Sequence, residues 1–252
     1  MTETKHKVAI GMPLEGDAET ARCCYAAQRE LRKLKGGDVL FLDEMGGIIN
    51  PNVDVSRARD RLMRLFLWEA SECTSLLWWD EDVVPTTLQT IRNMLNSGHD
   101  CVGAPYRRKK EPEEYPYRLH GVDGQKRKLE VVNGCIEVEW MPFGFMLTSR
   151  ACLQTMWDAY KDSRWYFDLE KKPEGKHVHH LTVGAFDLVY TDEEPGPDGT
   201  PWRVKLSEDY SFCKSYRDIG GKVHMYVGDG SPVGHIGSKL YTGTREGLVH
   251  SA

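Results

Sequence analysis

The chain has 252 residues and a mass of 28.7 kDa, which at roughly 100–200 residues per domain means one large domain or two small ones. Hydrophobic residues make up 40% and charged residues 28%, so a sizeable core is available and wholesale disorder is excluded. The net charge of -5 excludes a generally basic nucleic-acid coat, though not a local basic patch, and no apolar run approaches the ~18 residues of a membrane span.

The elements alternate from the start. Val8–Met12 is a short apolar run ending at Pro13 and reads as a strand. It does not have the length or the cleavage site of a signal peptide, so a cytoplasmic location in the producing or host cell is expected. A helix follows, with Ala21, Cys24, Tyr25, Gln28, Leu31 and Leu34 on one face and Asp17 as its cap. Val39–Leu42 reads as a second strand and Gly46–Asn52 as a loop. Ser56 then caps a helix with the stripe Ala58, Leu62, Leu65, Phe66 and Ala70. Leu76–Trp79 is a third strand, running into Asp80-Glu81-Asp82. Thr86 caps a helix carrying Leu88, Ile91, Met94 and Leu95, Gly98 ends it, and Cys101–Tyr106 is a further strand. This rhythm predicts an α/β fold with a mostly parallel central sheet flanked by helices, with the loops after the strands along one edge, where such sheets bind ligands.

Beyond residue 107 the rhythm loosens. Ile136–Met141 reads as a strand, Ser149–Tyr160 and Ser207–Ile219 as helices, and Val223–Val227 as a late strand. Lys161–Lys205 is long and polar and reads as a functional or solvated loop, and the tail from Gly234 to Ala252 has little periodicity. No repeat or linker divides the chain, so a single domain with an elaborated second half is expected over 1–252. The seven cysteines are scattered without a C-x-x-C and read as reduced buried thiols. Within 162–205, His177-x-His179-His180 offers an alternative reading as a zinc site, beside that of a polar surface.

Four segments can carry chemistry. The first is Leu76–Pro85, an apolar strand ending in three acids. In extended geometry Asp80 and Asp82 share a side and Glu81 points away. Two hard oxygen ligands suit Mg²⁺ or Mn²⁺ with positions left open for phosphate oxygens and water; a solvated acidic turn is the plain alternative. The second is Ser207-Glu208-Asp209-Tyr210, opening a helix. Acids in a first turn are favoured by the helix dipole alone, or one of them is a general base for an acceptor hydroxyl. The third is Gly234-His235-Ile236-Gly237 with Ser238-Lys239-Leu240-Tyr241. His235 is either a surface residue or a nitrogen ligand for the same metal, with Lys239 and Tyr241 reaching a diphosphate. The fourth is Arg57 and Arg59, either solvated helix charges or holders of a phosphate or nucleotide base.

Together these segments resemble a small metal-dependent glycosyltransferase of the GT-A fold, of the family 2-like type found in bacteriophage and bacterial genomes. The matching runs are Ser56–Asp60, Leu76–Pro85, Gly103-Ala104-Pro105-Tyr106-Arg107-Arg108-Lys109, Pro142–Leu147, Ser207–Cys213 and His235. The resemblance implies a nucleotide-sugar-binding half at 1–106, whose first strand ends at the nucleotide base with Met12 and Pro13. It implies an acceptor-side half with a closing loop at 107–252. Asp80 would face the ribose or a metal-bound water, Asp82 would bind the metal, and His235 would complete the metal site. Asp209 would be the base of an inverting transfer, with Glu208 beside it. Gly144 would lie beneath the donor sugar, and Lys239 and Tyr241 would close over the diphosphate.

The expected activity is transfer of a hexosyl or pentosyl group from a nucleotide diphosphate sugar to a hydroxyl, with Mn²⁺ or Mg²⁺. The acceptor is a glycan, a small molecule or DNA carrying a hydroxymethylated base, which would have to be flipped out. Two basic runs, Arg107-Arg108-Lys109-Lys110 and Lys126-Arg127-Lys128, are the handle for DNA. A nucleotidyltransferase, or a non-catalytic sugar-nucleotide or nucleic-acid-binding protein, is the alternative.

Overall fold

A computed structural model describes residues 6–12, 39–45, 54–85, 87–119, 129–171, 174–196 and 198–250. The expected helix at 17–34, the loop at 46–52, Pro13, Thr86, Cys23, Cys24 and the run at 126–128 lie outside them.

Strand β3 (Ser75–Trp79) is the spine of the molecule, and every one of its residues is buried. Its side chains alternate between two cores. Leu76 and Trp78 enter one, Leu77 and Trp79 the other, as the period of two requires of a strand covered on both faces. Both indoles place their N–H groups: Trp78 Nε1 donates to Thr148 Oγ1 at 2.9 Å and Trp79 Nε1 to the Val83 carbonyl at 2.7 Å.

The first core packs against α1 (Val55–Trp68) through Leu62, Met63 and Phe66, against α3 (Arg150–Tyr160) through Leu153 and Met156, and against α4 (Glu208–Asp218) through Phe212. The second packs against α2 (Leu88–Asn96) through Ile91, Met94 and Leu95. Two caps differ from expectation. Asp54, not Ser56, caps α1, its carboxylate accepting from Ser56 N and Ser56 Oγ at 3.1 and 2.8 Å. Thr87, not Thr86, caps α2. Helix α2 ends as expected near Gly98, whose φ of +75° suits a residue without Cβ.

The main sheet also contains β1 (His6–Gly11), β2 (Val39–Met45), β5 (Cys101–Gly103), β6 (Arg118–Leu119), β7 (Cys135–Trp140), β8 (Phe145–Ser149) and β13 (Val223–Tyr226). Its order is β2-β1-β3-β8-β5-β13-β7-β6. The expectation of a mostly parallel sheet is corrected here. Pairings β1–β2, β1–β3 and β5–β13 are parallel, whereas β3–β8, β5–β8, β7–β13 and β6–β7 are antiparallel. Only β8 and β7 run against the other six strands, but each lies between two of them. Residues 141–144 carry the chain from β7 to β8, which run the same way but are not neighbours in the sheet.

The segment expected as one long loop contains a hairpin, β9 (Trp165–Lys171) with β10 (His177–Val183), and the short pair β11 (Glu194–Pro195) and β12 (Pro201–Trp202). Alternation along β10 puts His177 and His179 on one face and His180 on the other, so the three do not converge on a zinc ion. The tail is also ordered. β14 (Gly234–Ile236) pairs with β4 (Val83–Val84) and with β15 (Leu240–Tyr241), and α5 (Arg245–His250) follows. Cys73, Cys101, Cys135, Cys152 and Cys213 are buried thiols. Trp78, Trp79 and Trp157 are core residues, while Trp165 and Trp202 are about half exposed. Among the described residues no helix is long and apolar enough to cross a membrane.

Candidate active site

The acids that follow β3 form a turn rather than a continued strand. Val83 N donates to the Asp80 carbonyl at 3.1 Å, closing residues 80–83. Asp80 and Asp82 therefore do not share a side by pleat, and Glu81 is buried instead of pointing away. The turn is held from two directions. Asp80 N donates to the Gly144 carbonyl at 2.9 Å, and Ile236 N donates to the Asp82 carbonyl at 2.7 Å.

Asp80 turns toward the interior, where Arg59 meets it. Arg59 Nη2 lies 3.2 and 3.3 Å from the two carboxylate oxygens, and Arg59 Nε is 3.8 Å from Glu208 Oε1. Arg59 is only 3% exposed, and its guanidinium carbon stands 5.7 Å from the Phe143 ring centre and 6.0 Å from that of Phe186. One buried cation thus joins α1, the acidic turn and the start of α4. Burial alone would lower its pKa, but Asp80, Glu208 and Asp209 together raise it. Burial raises the pKa of Asp80; Arg59 opposes this, and Asp82 and Asp209 add to it. Glu208 is also raised, by burial first and Asp209 second. Asp209 Oδ1 accepts from Tyr210 N at 2.8 Å and from Ser207 Oγ.

Gly144 has a steric reason to be glycine. A Cβ there would stand 2.9 Å from Asp80 Oδ2 and closer still to the Tyr106 hydroxyl. Gly144 N donates to that hydroxyl at 3.2 Å. Burial, with Asp80 and Asp209 nearby, pushes the Tyr106 phenol well above its ordinary pKa.

Asp82 faces the other way, toward the closing strand. The β4–β14 register sets His235 opposite Val83, and His235 Nε2 comes to 3.3 Å from Asp82 Oδ2. His235 Nδ1 lies 2.9 Å from the Arg107 carbonyl, which can only accept, so Nδ1 carries the proton. The Tyr106 ring meets the imidazole edge-on at 4.8 Å. Lys109 Nζ also contacts Asp82 Oδ2. Burial would raise the Asp82 pKa, but the bonds from His235 and Lys109 outweigh it and hold the carboxyl below its usual range.

Lys239 and Tyr241 bind the segment after Tyr106 rather than Asp82. Lys239 Nζ lies 3.2 Å from Glu111 Oε1, and Arg107 Nη2 donates to Glu111 Oε2 at 2.8 Å. The Tyr241 ring has Arg107 at 5.5 Å and Lys239 at 5.1 Å.

The structure therefore brings Asp80, Asp82, Arg59, Gly144, Glu208, Asp209 and His235 together, with Lys239 and Tyr241 at the rim. Arg57 is not among them. Its Nε and Nη2 donate to Asp168 Oδ1 at 2.9 and 2.7 Å, so it holds the β9–β10 hairpin. Arg59 is a buried counter-charge rather than an open phosphate holder. Met12, just after β1, is buried. Sequence reasoning gave Tyr106 no role and read Arg107 and Lys109 only as part of a handle for DNA; the signal for their place at the site was position, shortly after β5. In the run at 107–110 each cation is paired with a carboxylate: Arg107 with Glu111, Arg108 and Lys110 both with Glu114, and Lys109 with Asp82.

No protein-family model matches the chain, and no curated protein matches its sequence. Among solved structures it resembles A197 from STIV, with 16% identity and a TM-score of 0.49 over 95% of this chain and 94% of that one. It also resembles a glycosyltransferase involved in the glycosylation of the major capsid of PBCV-1. There the identity is 9% and the TM-score 0.35, over 61% of this chain and 66% of that one. Chemistry does not carry over at such identities, and what this chain does has to be read from its own side chains.

Proposed function

We propose that the chain is a glycosyltransferase, moving a sugar from a nucleotide diphosphate sugar to a hydroxyl with inversion. The observation that carries this reading is the pair Asp82–His235. Because Nδ1 holds a proton for the Arg107 carbonyl, Nε2 presents to Asp82 either a second proton or a lone pair. A lone pair facing a carboxylate oxygen at 3.3 Å is stable only with a cation between or beside them. Among the described residues no three His, Cys, Asp or Glu side chains converge as a metal set. A site of two protein ligands leaves positions for phosphate oxygens and water, as a donor-binding centre requires. Asp82 and His235 would hold Mn²⁺ or Mg²⁺, while Asp80, held by Arg59, would face the ribose or a metal-bound water. Such an ion supplies positive charge to a departing diphosphate.

The chain's own groups do the rest. The acceptor oxygen forms its bond to the anomeric carbon as the bond to the diphosphate breaks. Asp209 takes the acceptor proton, and Glu208, raised by burial, supports it from the same helix turn. Gly144 keeps the floor beneath the donor sugar clear. Lys239 and Tyr241 close the rim over the diphosphate. Residues 1–106 form the donor half and 107–252 the acceptor half, and the acceptor is a hydroxyl-bearing glycan, small molecule or base.

A panel of nucleotide sugars, incubated with and without Mn²⁺, tests this. Free nucleoside diphosphate released only with metal is the expected result. Release of pyrophosphate would identify a nucleotidyltransferase instead, and no turnover of any donor would leave a binding protein.

A further inference from the structure

One carboxylate oxygen, Asp82 Oδ2, is claimed by two groups of the chain, the His235 imidazole and the Lys109 ammonium. The other cations near it, Arg107, Arg108, Lys110 and Lys239, sit on Glu111 or Glu114, outside the acidic turn. The path of the Lys109 stem is also built. A Cβ on Gly237 would stand 3.1 Å from Lys109 Cδ and 3.4 Å from Cγ, so the glycine of the closing segment makes room for it. Gly237 N in turn donates to the Lys239 carbonyl at 2.9 Å, within the β14–β15 turn.

We propose that Lys109 is the resident counter-ion of the Asp82–His235 centre, exchanged for the divalent ion when that ion binds. The inference rests on the metal reading above. An ammonium and a divalent ion on one oxygen repel each other, so the ion enters as Lys109 leaves. The released ammonium stays tethered at the rim, within reach of the diphosphate that arrives with the metal. Lys109 is then a positioning residue that keeps the acid satisfied between turnovers.

Binding of Mn²⁺ alone, followed by the paramagnetic resonance signal of the free ion, tests the exchange in the full chain. Lys109→Gln keeps the stem but removes the competitor, and should bind Mn²⁺ about two- to fivefold more tightly than wild type, the range expected for losing one partly exposed ion pair. Lys110→Gln removes a neighbouring charge paired with Glu114 and should leave the affinity unchanged. Asp82→Asn should abolish binding. Equal gains at 109 and 110 would reduce the effect to net charge and overturn the exchange. Unchanged or weaker binding by Lys109→Gln would overturn it while leaving the metal reading intact. No binding by wild type or by Lys109→Gln would overturn both.

Discussion

Three carboxylates, Asp80, Glu208 and Asp209, crowd around the single guanidinium of Arg59. Such a site holds excess negative charge until a cation or a proton enters, which is the state a base awaiting an acceptor proton needs. Asp209→Asn should therefore keep donor binding but lose transfer by roughly 10²–10⁴-fold, measured as single-turnover product formation. A loss of only a few-fold would mean that Asp209 merely caps α4. Asp60, the acid of α1, has a different task. Asp60 accepts from Phe186 N at 3.0 Å and from the Tyr166 hydroxyl at 3.2 Å, and burial raises its pKa well above the ordinary range. The folded state thus favours the protonated acid. The stability this contributes is complete below the unfolded pKa of about 4 and is lost as pH rises through the higher folded value. Asp60→Asn carries no such dependence. Its urea midpoint relative to wild type should climb between pH 4 and pH 8. At this scale the acids and His235 were legible because each stands beside strand-end or helix-start signals. Lys109 was not, because four consecutive cations look alike until the fold assigns each a partner.

Elements explain where Arg57 went. Along β9, Tyr166 and Asp168 face α1 while Trp165, Phe167 and Leu169 face outward, 44–58% exposed. Asp168 is buried, and Arg57 supplies its two short hydrogen bonds, with Arg61 Nε further off at 3.9 Å. Arg57→Ala leaves that carboxylate poorly compensated and should cost roughly 1–3 kcal/mol, discounted because Arg57 is itself half exposed. Amide exchange should quicken across 165–183, while Mn²⁺ binding at Asp82 stays unchanged. Unaltered exchange would show that the hairpin is held by packing instead. The hairpin escaped the sequence reading because its exposed face carries Trp165, Phe167, Leu169 and Leu181 while Asp168 and Thr182 are buried, which inverts the usual polar-out pattern. The acidic turn was misjudged for a related reason. Residues 80–82 continue a strand in sequence, but the Trp79 indole bonds to the Val83 carbonyl and bends the chain back.

For the whole molecule, the sequence α1, β3, α2, β5 was readable because buried strands appear as plain apolar runs between amphipathic helices. Strand β8 was not recognised as a strand, since Pro142, Phe143 and Gly144 give its approach the look of a loop. Yet β8 lies between β3 and β5 and carries Gly144 to the back of Asp80. The site therefore has contributions from 59, 80–82, 106–109, 144, 208–209 and 235, so no short fragment contains it.

The position of β14 has a consequence for biosynthesis. The eight-stranded sheet is complete once Tyr226 has emerged from the ribosome, but the imidazole that meets Asp82 comes nine residues later. Domains begin to fold while the remainder is still being made. A nascent chain of this protein can thus finish its scaffold before Asp82 has its imidazole partner, which arrives only when the β14 segment clears the exit tunnel and pairs with β4.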